Sequence, residues 1–86
     1  MKKADDIFKN LGYKKLEWKD EFGNVHTVTY SKSDRHIAIY VQEPVLFKVE
    51  NRFEKVKATE IEEKAIKQKI KELKSKKGAD TNGSKN

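Results

Sequence analysis

The sequence predicts an α+β fold, a two-layer α-β-β-β-(β)-α domain in which an antiparallel meander sheet packs against an N-terminal and a C-terminal helix. Three observations lead there. Apolar residues at the start recur at helical spacing, residues 14–50 alternate in twos between clusters of turn formers, and a second helical run follows Thr59.

The first helix is expected over Ala4–Leu11. Ile7, Phe8 and Leu11 share one face, and Asp5 and Asp6 lie in the first turn, where carboxylates complement the helix dipole. Gly12 stands where a left-handed residue ends a helix, and Tyr13 stands where a side chain folds back on the last turn, here on Phe8. "NLGY" therefore reads as a helix stop.

Strands follow over Lys14–Asp20, Val25–Ser31 and Arg35–Val41. A two-residue Ser33-Asp34 loop pairs Tyr30 with Ile37, Val28 with Ile39 and His26 with Val41 on one face, and Thr29 with Ala38 and Thr27 with Tyr40 on the other. A three-residue loop over 22–24 would set Trp18 opposite Val28 and Leu16 opposite Tyr30, both in the core. Pro44 ends the third strand. Val45–Glu50 alternates as a fourth, edge strand of open register, because a tight Glu43-Pro44 turn would put Phe47 on the wrong face. Residues 51–58 read equally as an extended connection or as a helix start.

Thr59 and Glu62 form a T-x-x-E capping box, and Glu60–Lys64 and Glu63–Lys67 have the spacing of helical ion pairs. The second helix is expected to reach Lys74–Lys76, with Gly78 as its stop. Ile61, Ala65, Ile66, Ile70 and Leu73 make its apolar half, in which Lys69 must snorkel. The domain is thus expected over residues 1–77, with a disordered polar tail over 78–86.

Eighty-six residues suffice for one thin core. The chain has no cysteine, which excludes disulfides, thiolate metal sites and a cysteine nucleophile. "MKKADDIF" lacks the apolar segment of a signal peptide, and no apolar run approaches the roughly 20 residues of a membrane span, so a cytoplasmic protein is expected. The net charge of +6 is uneven: residues 1–43 hold 8 basic and 7 acidic side chains, residues 44–86 hold 12 and 7. Such a balance suits an acidic partner, and equally a lysine-rich solubilising surface.

Little in the chain reads as catalytic, and no cofactor or metal is expected. His26 and His36 fall on opposite sheet faces, too far apart to share a metal. Ser31 lies opposite His36, an ordinary cross-strand contact. The carboxylate pairs Asp5/Asp6 and Glu62/Glu63 begin helices, and Asp20/Glu21 borders a turn. The four glycines make no phosphate loop. Two surfaces remain. Lys64, Lys67, Lys71 and Lys74 fall within an arc of roughly 80° on the second helix. That stripe, about 15 Å long, could follow phosphates or simply face solvent; it holds no arginine or aromatic to read bases. The sheet face carrying Thr27, Thr29, Ala38 and Tyr40 is open in a two-layer fold, which suits a protein partner or a homodimer.

"ADDIFKNLGYKK" at the start and "ATEIEEKAIKQKIKELK" near the end resemble small, functionally uncharacterised proteins encoded by phages and prophages of low-GC Gram-positive bacteria. Ala4, Asp5, Phe8, Leu11, Gly12 and Tyr13 match the first motif of that group, and Ala65, Ile66, Lys69, Glu72 and Leu73 the second. This chain departs from the group in continuing past the helix into a basic tail. The resemblance implies a setting, a phage or mobile-element accessory protein in a bacterial cytoplasm, and not an activity. The whole chain reads as a non-enzymatic protein that binds a host or phage protein or nucleoprotein. The alternative is sequence-independent nucleic-acid binding through the lysine stripe.

Overall fold

The computed structural model describes the backbone of residues 3–82 and the side chains of residues 3–74. Its elements are α1 (Ala4–Asn10), β1 (Lys14–Lys19), β2 (Val25–Lys32), β3 (Arg35–Tyr40), β4 (Leu46–Asn51), β5 (Glu54–Lys55) and α2 (Glu60–Asn82). The strands form one antiparallel sheet in the order β1-β2-β3-β4-β5, a simple meander. Both helices cover one face of it, and the core is Ala4, Phe8, Tyr13, Val28, Tyr30, Ile37, Ile39, Val49, Ala65 and Ile66. This is the expected α+β class, with one strand more than expected.

The helix stop is as the sequence suggests. Gly12 has φ +91°, its N–H donates to the Lys9 carbonyl at 2.9 Å, and the Tyr13 N–H donates to the Phe8 carbonyl at 3.0 Å. This is the pair of bonds that closes a Schellman turn. Phe8 meets Tyr13 edge-on, with ring centroids 5.6 Å apart, and stacks on Tyr30 at 3.8 Å. The register of β2 with β3 also matches residue for residue, Tyr30 with Ile37 through Thr27 with Tyr40.

The register of β1 does not match. Leu16 pairs with Thr29 and Trp18 with Thr27, so both lie on the sheet face away from the helices, 52% and 49% exposed. Asp20 is the reason. Its Oδ1 accepts from the backbone N–H groups of Phe22 (2.8 Å) and Asn24 (2.9 Å), which closes the loop at Asp20 and Asn24. A bulge between Trp18 and Lys19 then leaves the strand one residue from the expected pairing, and a slip of one turns every side chain over. Lys15 consequently faces the helices, where its Nζ donates to Asp5 at 2.7 Å.

Other expectations change for local reasons. A five-residue connection over 41–45, containing a cis Glu43–Pro44 bond, replaces the tight turn and sets Phe47 opposite Ile39 on the helix side. Residues 51–58 are neither a helix start nor a plain connection. β4 turns into β5 through Arg52 and Phe53, whose φ angles are +56° and +69°. On α2, Ile61 is 53% exposed and lies outside the core. The pairs Glu60–Lys64 and Glu63–Lys67 are not among the ion pairs of the described residues. Lys69 does not snorkel to solvent but is buried, with Nζ 3.4 Å from Asp5. Gly78 falls inside α2 rather than ending it; the tail residues 83–86 lie outside the described residues.

Candidate functional site

The sheet register builds the first candidate surface. On the face away from the helices the cross-strand partners form three rows: Trp18–Thr27–Tyr40–Leu46, then Leu16–Thr29–Ala38–Lys48, then Lys14–Ser31–His36–Glu50. The first row is apolar and aromatic and borders the β1–β2 and β3–β4 loops. Phe22, 81% exposed, sits in the loop at that same end. Thr27, Thr29 and Tyr40 are thus together, as expected, and they are joined by Leu16, Trp18 and Leu46, of which Leu46 is 52% exposed. The Trp18 Nε1–H points to the Thr29 hydroxyl at 3.4 Å, and that hydroxyl donates to the Leu16 carbonyl at 3.3 Å. The indole therefore lies along the sheet. Lys48 Nζ sits 3.5 Å from Glu50. It is held charged above its usual range by the Tyr40 hydroxyl first and by Glu50 second.

Sequence reasoning missed Leu16, Trp18 and Leu46. The signal was present in "DEFGN", where an Asp before a Gly can hold a turn through its own carboxylate. Leu46 follows from the longer connection after Tyr40.

The second candidate surface lies on α2. Lys64, Lys67, Lys71 and Lys74 are all exposed. Lys64 and Lys67 flank the exposed Ile61 in one shallow depression, and Lys67, Lys71 and Lys74 surround Ile70 in the next. No ion pair among the described residues involves any of the four. The lysine face and the open sheet face are on opposite sides of the molecule, because α2 covers the other side of the sheet.

The densest polar cluster is structural in position. Glu62, 4% exposed, accepts from Arg35 Nε (2.6 Å) and Nη2 (2.7 Å), from the Thr59 N–H (2.8 Å) and from the Tyr13 hydroxyl. It ties β3, both ends of the capping box and the residue before β1 into one knot. Burial pushes its carboxyl up, but the Arg35 guanidinium, then Tyr13 and the Thr59 N–H, outweigh burial and hold it at about 2. Burial first, and Glu62 second, push the Tyr13 hydroxyl up to about 12. Asp5 is a second knot, accepting from Tyr30 (2.6 Å), Lys15 and Lys69. His26 and His36 are both exposed, and Ser31 faces His36 on the open side of the sheet.

Comparison with protein-family models, with curated proteins and with solved structures finds no match to this chain. No helix among the described residues is long and apolar enough to cross a membrane.

Proposed function

We propose that this chain is a non-enzymatic accessory protein that acts by binding another macromolecule, and that the open sheet face is its working surface. The observation that carries this reading is the half-exposed pair Leu16 and Trp18 beside Thr27, Thr29, Tyr40 and Leu46. An indole left in water on a sheet is costly unless something covers it, and aromatic residues are the usual anchors of protein interfaces. The motifs that resemble phage and prophage proteins support a bacterial, mobile-element setting in the cytoplasm.

Trp18→Ser tests the reading. Melting should shift little, within about 1 kcal/mol of stability, because the side chain is not in the core. Retention of a protein from a bacterial lysate by the immobilised chain should fall to background. A protein retained above background equally by parent and variant would remove the sheet face as the working surface.

The exposed lysines of α2, in no ion pair among the described residues, favour a second reading, sequence-independent binding of nucleic acid. Replacing Lys67, Lys71 and Lys74 with glutamine should leave stability within about 0.5 kcal/mol, since glutamine is nearly as good a helix former. Binding of labelled DNA should weaken and its salt dependence should flatten. Parent protein that fails to bind DNA at low salt excludes this reading.

A further inference from the structure

Resting on the open sheet face as the binding surface, we infer that its occupant is a second copy of this chain, docked face to face about a two-fold axis along the strands between β2 and β3. Such an axis lays β1 of one copy over β4 of the other and β2 over β3, row upon row. Trp18 then meets Leu46, Thr27 meets Tyr40, Thr29 meets Ala38, and Leu16 meets the aliphatic stem of Lys48. Each contact occurs twice, as symmetry requires.

Charge selects this arrangement. Glu50 is the one carboxylate in the three rows, at the β4 end of the last row, and Lys14 stands at its β1 end. The axis brings Lys14 of each copy over Glu50 of the other. Lys48 and Lys55 neighbour Glu50 within its own sheet, and Lys48 is already paired with it, so Lys14 from across the interface joins as a third cation in a small network at the rim. The other in-plane axis, across the strands, would lay the aromatic row over the charged one, with Trp18 on Lys14 and Leu46 on Glu50. That mismatch disfavours it. Two packed sheets would sit about 10 Å apart, both helical layers outward. The dimer thus leaves the α2 lysines free on its two outer sides.

Four strands about 4.8 Å apart and three rows about 6.8 Å apart give a footprint on the order of 400 Å² per copy. This lies at the small end for specific association, so the dimer should be a weak one.

Sedimentation velocity of the full chain from about 10 μM to about 1 mM tests it. Expected is a monomer–dimer equilibrium within that range, absent in Trp18→Ser. Lys14→Glu and Glu50→Lys should each weaken the dimer about tenfold, the two-fold doubling every exposed pair. The double variant should restore it. That restoration also shows the single variants' loss to be one of contact, not of folding. A chain monomeric throughout, a dimer indifferent to Trp18→Ser, or a double variant no better than the singles each overturns the inference. A monomer that still needs Trp18 to retain a bacterial protein overturns the second copy alone and leaves the sheet face as the binding surface.

Discussion

Replacing Glu62 with alanine should bring the protein to the edge of unfolding at room temperature. The carboxylate is buried and its two oxygens serve Arg35, Tyr13 and the Thr59 N–H. Removing one member of a buried charge pair costs about 3–5 kcal/mol, and the low end of that range applies here because Arg35 keeps 22% of its side chain in water. The capping box goes with it. A small domain has a total stability of only about 5–15 kcal/mol, with chains of this size at the low end. The same knot sets the pH response. Glu62 is held at about 2, against 4.5 for an ordinary glutamate, so its contribution is complete above pH 4.5 and lost as pH falls toward 2. Asp5 is also lowered and acts in the same direction. At the other end, the Tyr13 hydroxyl is raised from 10 to about 12, so its share is present below pH 10 and lost as pH rises toward 12. Urea melts across pH read both limbs. Glu62→Gln should be less stable at neutral pH and should show a shallower acid limb than the parent. An acid limb unchanged in Glu62→Gln would show that another carboxylate sets it.

Ile39→Ala should cost about 2–5 kcal/mol, close to the whole stability of so small a fold. Ile39 is fully buried, lies between Val28 and Phe47 across the sheet, and belongs to the core under the helices. The cavity would sit in the core that the sheet shares with both helices. Denaturant melts of Ile39→Ala and Trp18→Ser side by side compare the two faces. A parental melt for Ile39→Ala would contradict the assignment of the covered face.

The parts of the fold legible in the sequence are those where two signals agree. The β2–β3 register follows from the two-residue Ser33-Asp34 turn and independently from the alternation of Val28, Tyr30, Ile37 and Ile39, and both give the same pairing. The α1 stop needs only Gly12 and Tyr13. Where one signal stood alone, it misled. Leu16 and Trp18 alternate with Lys15, Glu17 and Lys19, and the rule that apolar residues go inward chose the wrong face. An edge strand can turn charge toward the helices when a carboxylate waits there, as Asp5 does for Lys15. The β4–β5 turn was illegible because Arg52 and Phe53 adopt left-handed backbone without glycine or asparagine. Ile61 has helical apolar spacing yet is 53% exposed, outside the core. The candidate surface divides the same way. Thr27, Thr29 and Tyr40 followed from the secure β2–β3 register, whereas Leu16 and Trp18 depended on a β1–β2 loop whose length was misread and Leu46 on a connection whose register stayed open. The lysine face was legible throughout, since a helix period alone defines it.

Trp18 is the one tryptophan in the chain, so its fluorescence in dilute solution reports directly on the uncovered sheet face. Expected is a long-wavelength emission, quenched readily by acrylamide and little changed when the protein unfolds in urea. A short-wavelength emission shielded from acrylamide at every dilution, moving to long wavelength only on unfolding, would place the indole beneath the helices and contradict the open face.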